Sequence, residues 1–183
     1  MILIINICKE KLGYYEFVKP IESILKTNGI SFYTRTYDNI KKGDLKKSDK
    51  IIICGTSLKD NEFIENIEKF EWIESYRKPV LGICGGMQMI GLIFGGRLSK
   101  ETEIGYYNEN FKKEYLGLKG KQEVYHLHNN YVNFEKLKKF EVFSGKKISQ
   151  AVKHKNKEIY GVLFHPEVRQ KELIIKFFNE KVY

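Results

Sequence analysis

The 183-residue sequence predicts an α/β fold, a doubly wound, mostly parallel sheet flanked by helices, with antiparallel strands added late in the chain. Three observations carry this expectation. Short apolar runs at residues 2–8, 50–54 and 79–83 suit strands buried on both faces. Between them lie stretches whose apolar residues recur at helical spacing. The third run passes into Gly82-Ile83-Cys84-Gly85-Gly86, a G-x-C-x-G pattern that reads as strand, sharp turn and helix.

Residues 2–8 form the first strand. Residues 16–25 set Phe17, Ile21, Ile24 and Leu25 on one helical face, and Gly29 ends that helix. Residues 31–37 alternate as a second strand, 41–49 make a polar connection, and 50–54 give a third strand. Residues 61–76 predict one amphipathic helix with Phe63, Ile64, Ile67, Phe70 and Ile73 inward. After the 79–83 strand, Met87, Ile90, Gly91 and Phe94 continue at helical spacing. Beyond Gly95-Gly96 the rhythm changes. Residues 98–164 predict short strands, a meander or hairpins added to the sheet edge, with no helix longer than 133–139. Residues 171–181, with Leu173, Ile174, Phe177 and Phe178, form a final helix. The length suits a single domain over residues 1–183.

The net charge of +9 raises nucleic-acid binding, but the lysines are scattered in pairs such as Lys41-Lys42 and Lys138-Lys139. No basic stripe interleaved with aromatics and no DNA-binding motif accompanies them, so no nucleic-acid partner is expected. No apolar run has the length of a membrane span. Residues 1–7 lack the basic flank and cleavage site of a leader and read as strand. Three cysteines without a disulfide framework, one of them in a reactive setting, point to a reducing compartment, the cytoplasm.

Cys84 carries the chemistry. Its glycine neighbours relieve clashes in a strained turn, and the N-terminus of the following helix favours thiolate over thiol. The bland alternative is a buried cysteine in a βα turn. Far downstream, Tyr160-Gly161-Val162-Leu163-Phe164-His165-Pro166-Glu167 reads as a strand ending in a histidine, with a carboxylate two residues on. Nucleophile, base and orienter are thus all present as Cys84, His165 and Glu167. Ligands of such sheets bind at the carboxyl ends of strands, where Cys54-Gly55 also lies. Cys8 and Cys54 read as core residues, and His154 as an exposed residue of a lysine-rich turn. His126 and His128 share one face of a strand, but no third ligand stands at a suitable spacing, so no metal is expected.

The two motifs resemble the class I, or triad-type, glutamine amidotransferases. Their G-[IV]-C-x-G-x-Q elbow stands here at residues 82–88 and their late F-H-P-E at residues 164–167. Within that family the likeness is greatest to the amidotransferase subunit of GMP synthase, whose hairpin before F-H-P-E is similar to residues 151–162. The resemblance implies a flavodoxin-like arrangement of the fold and glutamine as substrate. Cys84, His165 and Glu167 would hydrolyse it to glutamate and ammonia, without cofactor. It implies an oxyanion hole from the backbone N–H groups of Gly55 and Gly85. Gln88, one helical turn beyond Cys84, is the implied contact for the amino-acid end of the substrate. His128-Asn129-Asn130 stand where GMP-synthase-type subunits carry Ser-His-x-Asp, whose backbone binds glutamine while its side chains face the synthetase. The implied partner is a separate, ammonia-accepting synthetase subunit, docked near Gly55, Thr56 and residues 128–130. Thr56-Ser57 and Asn130 depart from the family pattern, which usually has Gly-Gly-Pro or Gly-Pro-Gly in the first loop and aspartate at the second position. Two other readings stay open: a stand-alone γ-glutamyl hydrolase, and a non-catalytic binding subunit that kept the fold.

Overall fold

A computed structural model describes residues 1–180. Its strands in chain order are β1 (Ile2–Asn6), β2 (Phe32–Thr36), β3 (Lys50–Ile53), β4 (Val80–Ile83), β5 (Leu98–Tyr115), β6 (Leu118–Val132), β7 (Phe140–Ser144), β8 (Ala151–His154) and β9 (Ile159–Val162). The main sheet has the order β2-β1-β3-β4-β9-β8-β7, while β5 and β6 pair with each other as a separate hairpin. The strands from β2 to β9 in that order run parallel, and β8 and β7 extend the sheet antiparallel. The expected doubly wound sheet with added antiparallel strands is therefore present.

Alternate residues of the parallel strands feed two core layers. Ile2, Ile4, Leu81 and Ile83 face Phe17 of the helical segment Tyr14–Val18, Ile21 and Leu25 of the helix Lys19–Thr27 that continues it, and Leu173, Ile174 and Phe177 of the final helix (Lys171–Asn179). Leu3, Ile5, Ile51 and Ile53 face Phe63, Phe70 and Ile73, and Met87 and Ile90 of the helix Gly85–Ile93. Each such side chain contributes about 1.5–3 kcal/mol on full burial. Lys50, buried at the start of β3, donates from Nζ to the Phe177 carbonyl at 2.9 Å and so caps the final helix. Of the helix expected over residues 171–181, Lys181 lies outside the described residues.

Four elements differ from expectation. Residues 61–76 are broken into Glu62–Glu65, a 3-10 turn at Ile67–Phe70, and Trp72–Ser75. Asn66 leaves the helical region (φ −114°, ψ 33°), and its side chain donates to the Glu62 carbonyl at 2.9 Å. Such local bonds compete with helix propagation. Phe63, Phe70 and Ile73 are still buried, so the apolar spacing was informative about burial and misleading about continuity. The polar connection at 41–49 contains a short helix, Lys42–Lys47, where the Asp44 carboxylate accepts from Lys41 N at 3.0 Å.

The largest difference is the β5–β6 hairpin. It is long, and it is not an edge addition to the main sheet. Its two-residue turn, Leu116-Gly117, has φ of 48° and 86°, the twin positive values of a type I′ turn. Leucine is an unusual occupant of that conformation, so the turn carries no Asn-Gly signature. The turn end of the hairpin, with Phe111, Tyr115 and Leu118, joins the first core layer. Tyr131 and Val132 at the other end join the second. The Tyr115 hydroxyl lies 3.0 Å from the carbonyls of both Val152 and Gly161, tying the hairpin to β8 and β9. Residues 133–139 make only a 3-10 turn, Phe134–Lys136.

The elbow admits no side chain at Gly82 or Gly86. A Cβ on Gly86 would lie 2.4 Å from the Ile53 carbonyl oxygen, and one on Gly82 would lie 2.6 Å from that of Gly86. Gly86→Ala is expected to destabilise by about 1–3 kcal/mol. That corresponds to a fall in Tm of roughly 2–4 °C per kcal/mol for a chain of this size. Gly43→Ala, which meets nothing within 4 Å, is the control and should hold or slightly raise Tm. An unchanged Tm for Gly86→Ala in thermal denaturation would refute this close approach.

Candidate active site

β4 and β9 are parallel neighbours in register, with Ile83 opposite Val162. The segments that follow them therefore emerge side by side, which brings Cys84 and His165 together from distant parts of the chain. Cys84 N donates to the Val162 carbonyl at 2.8 Å, and the Cys84 carbonyl accepts from Gln88 N at 3.0 Å, opening the elbow helix. Between these two anchors Cys84 adopts φ 48° and ψ −104°, far from the regions open to residues with a Cβ. Strain of this kind is worth about 1–3 kcal/mol and persists only where surrounding structure imposes it.

His165 is buried under Phe17, with ring centroids 5.3 Å apart. Its Nδ1 pairs with Glu167 Oε1 at 2.7 Å, and its backbone N donates to the Tyr125 carbonyl at 2.8 Å. Nδ1 is held by Glu167, and Nε2, on the far side of the ring, has no hydrogen-bond partner among the described residues. Burial alone would favour neutral imidazole. The Glu167 carboxylate and the Cys84 sulfur outweigh it and raise His165 well above the ordinary histidine range. Cys84 Sγ itself is turned to the Leu127 carbonyl, 3.6 Å away. The other two cysteines are different: burial pushes the Cys8 thiol up to about 11 and the Cys54 thiol well above its usual range. Both stay protonated and inert.

Gly55 touches both members of the pair. A Cβ there would stand 2.7 Å from His165 Cε1 and 3.3 Å from Cys84 Cβ. Gly85 is the first residue of the elbow helix, where backbone N–H groups lack intrahelical partners. The loop after Gly55 is fixed by Asp60 Oδ2, which accepts from Thr56 Oγ1 at 2.6 Å and from Lys9 N at 2.8 Å.

Cys84, Gly85 and Gln88 line a crevice with Thr56, Leu58, Asn61 and residues 127–130. Gln88 is buried, and its Nε2 donates to the Asn130 carbonyl at 2.8 Å. The crevice volume is only about 10 Å³, room for about one water. Two side-chain bonds hold its walls together: Asn129 Nδ2 donates to the Leu58 carbonyl at 2.8 Å, and Asn130 Nδ2 to Asn61 Oδ1 at 3.2 Å.

His128 departs from the expected outward position. Its ring is buried, and Nε2 pairs with Glu103 Oε2 at 2.9 Å. His154 is likewise buried rather than exposed, with its ring 5.2 Å from that of Phe94 and 5.1 Å from that of Phe140. Sequence reasoning missed Phe17 and the carbonyls of Tyr125 and Leu127. Backbone groups carry no residue signature, and the hairpin that supplies these carbonyls was not recognised as one element.

No helix among the described residues is long and apolar enough to cross a membrane. The chain is 32% identical over 152 residues to one subunit of the glutamine-hydrolyzing GMP synthase of Picrophilus torridus, covering 75% of this chain and 78% of that one. It is 39% identical over 100 residues to the glutamine-hydrolyzing GMP synthase of Staphylococcus epidermidis, where the match covers 51% of this chain but 19% of the relative. The chain thus spans about a fifth of that relative's length. Among solved structures, a candidate GMP synthase subunit from Thermoplasma acidophilum superposes with a TM-score of 0.83 at 22% identity, over 98% of this chain and 93% of the other. A glutamine amidotransferase from Thermotoga maritima gives 0.71 at 19% identity, over 97% and 82%. At such identities the structural likeness is one of fold. Residues 14–182 match the family Glutamine amidotransferase class-I, and with the Picrophilus torridus relative this settles the membership: the chain belongs to the class I glutamine amidotransferases, a family of glutamine-hydrolysing enzymes.

Proposed function

We propose that residues 1–183 act as one amidotransferase domain that hydrolyses glutamine through Cys84, His165 and Glu167 and passes the ammonia to a separate synthetase subunit. The observation that carries this reading is a strained cysteine at a strand end beside a buried histidine whose far nitrogen is fixed by a carboxylate. Cys84 turns from the Leu127 carbonyl to His165 Nε2, which takes the thiol proton or already holds it in a thiolate–imidazolium pair supported by Glu167. The thiolate attacks the side-chain amide carbon, and the oxyanion is held by the N–H groups of Gly55 and Gly85. His165 protonates the departing ammonia. Water, deprotonated by His165, then cleaves the γ-glutamyl thioester to release glutamate and restore the thiol. Gln88 and the backbone at His128 and Asn129 hold the amino-acid end. A thiol nucleophile suits a reducing compartment such as the cytoplasm.

The Picrophilus torridus relative is named as one subunit of a GMP synthase, which supports a separate acceptor chain that makes GMP. Ammonia release should be measured for the chain alone and with a GMP synthetase subunit, ATP and XMP. Slow turnover alone that rises sharply with the partner is expected. Full-speed turnover alone would favour an independent γ-glutamyl hydrolase, and slow turnover without stimulation would remove GMP synthesis.

The narrow crevice gives a second prediction. Glutamine requires residues 127–130 to part from residues 58–61, against the Asn129–Leu58 bond. Asn129→Ala keeps the backbone and removes that bond, worth about 0.5–1.5 kcal/mol. KM for glutamine is expected to fall by the corresponding roughly 2- to 10-fold. A rise in KM would mean instead that the Asn129 side chain binds glutamine.

A further inference from the structure

On the β5–β6 hairpin three side chains converge from both strands. His126 and His128 alternate onto one face of β6, and Glu103 stands opposite His128 in the register, just after an irregularity between Lys100 and Glu103. Glu103 Oε2 lies 2.9 Å from His126 Nδ1 and 2.9 Å from His128 Nε2. One ligand atom from each residue falls within 4.8 Å of the other two. Both imidazoles are essentially fully buried, at 0% and 1% exposure. Gln150 Nε2 also donates to Glu103 Oε2, at 2.7 Å.

As an all-protein hydrogen-bond cluster this arrangement is poorly satisfied. One carboxylate oxygen takes three donors, while the second nitrogens of both rings, His126 Nε2 and His128 Nδ1, are buried with no partner among the described residues. Each ring directs one nitrogen at the same Glu103 oxygen and leaves its other nitrogen unpaired. His126 Nε2 faces Glu109 Oε1 at 3.8 Å, beyond hydrogen-bond distance. Buried polar atoms in this state call for an explanation; an ion on the Glu103 side answers for His126 Nε2, through Glu109, and leaves His128 Nδ1 as it is.

We propose that Glu103, His126 and His128 form a binding site for a divalent transition-metal ion of the zinc type, with Glu109 as the carboxylate that orients His126. Two imidazoles and a carboxylate, without thiolate, suit zinc, cobalt or nickel, whereas calcium and magnesium favour oxygen alone. With His126 Nδ1 on the metal, its proton moves to Nε2 and points at Glu109. A ligand histidine held by a carboxylate through its other nitrogen is the usual supporting arrangement. Ligands about 2.0–2.1 Å from a tetrahedral ion stand roughly 3.3 Å apart, so Glu103 must draw back from each histidine by a few tenths of an ångström while the two ring nitrogens, within 4.8 Å of each other, settle to the same spacing. Glu103 has that freedom, since its side chain is 19% exposed. It borders a surface groove of about 730 Å³ that also reaches Glu109, Ser144 and Gln150, which gives the ion a path in and leaves a coordination position open. His128 lies between Leu127 and Asn129, so a bound metal would also fix the strand that walls the crevice at Cys84.

The test uses the full chain carrying Cys84→Ala, so that the active-site thiol cannot compete for metal. The protein is stripped with chelator and titrated with Co²⁺ alone. One equivalent is expected to bind, with visible d–d bands of nitrogen–oxygen coordination that zinc displaces, and zinc should raise Tm. Glu103→Gln and His128→Asn should abolish saturable binding, and Glu109→Gln should weaken it about 10- to 100-fold, the scale for losing such an orienting partner. Should the variants fail to fold, ¹⁵N NMR of the histidine rings in the parent protein decides: zinc should shift His126 and His128, leaving His154 and His165 in place. No saturable uptake at micromolar metal, unchanged stoichiometry in the folded variants, or shifts confined to other histidines would overturn the site.

Discussion

Cys84→Ala is expected to abolish ammonia release from glutamine, with a loss of about 10⁴-fold or more, the scale for removing a nucleophile that acts as part of a unit. Cys8→Ala and Cys54→Ala should keep the chemistry and lose only stability, because burial keeps those thiols protonated. The fold should survive the Cys84 change, since both backbone anchors of that residue are main-chain bonds. A further comparison isolates the strain. Alanine keeps a Cβ at φ 48°, whereas glycine does not. Cys84→Gly is therefore expected to match or exceed Cys84→Ala in Tm, the reverse of the usual order of these residues. Near wild-type turnover in Cys84→Ala would remove the nucleophile assignment, and a clearly less stable Cys84→Gly would remove the strain.

His165→Asn should lower kcat/KM by about 10²–10⁴-fold, the range for a positioned acid–base group. The related change Glu167→Gln tests how the base is tuned. Burial favours neutral His165, and Glu167 leads the effects that raise its pKa. Without that charge the imidazolium loses its main support, so the alkaline limb of the pH–rate profile should move to lower pH. The stability readout has the same sign. A histidine whose pKa is raised on folding stabilises fully below its unfolded value of about 6.5, and that contribution fades as pH rises through the folded value. In Glu167→Gln the contribution should be smaller and should fade at lower pH. An alkaline limb that stays in place would show that another group governs it.

The parallel half of the fold was legible because buried strands and alternating helices leave periodic marks. Residues 50–54 and 79–83 are cases, and so is the elbow, where Gly82 and Gly86 face contacts no Cβ could accept. The cysteine, histidine and carboxylate were legible as chemical types, and adjacency of β4 and β9 accounts for their meeting. The break at Asn66 was not legible, because a side-chain bond to a backbone carbonyl decided it within a stretch of correct apolar spacing. The hairpin was missed because its turn places leucine where asparagine or glycine is usual. With it went the carbonyls around Cys84 and the cluster of Glu103 with His126 and His128, whose members meet only through strand register.

The hairpin also divides the site by resistance to local opening. Cys84 and His165 follow β4 and β9, which are flanked on both sides by hydrogen-bonded strands. Amides there should exchange with solvent only through openings that approach global unfolding. Among the described residues β5 and β6 have one partner each, and their outer edges carry no ladder. Their amides belong to a less protected unit that opens at lower free energy. Residues 127–130 therefore sit on the more labile side of the active site, and excursions of that unit would widen the glutamine crevice while the cysteine–histidine pair stays assembled. Hydrogen exchange would show two protection levels within one catalytic centre, with glutamine or a docked partner raising the lower of them.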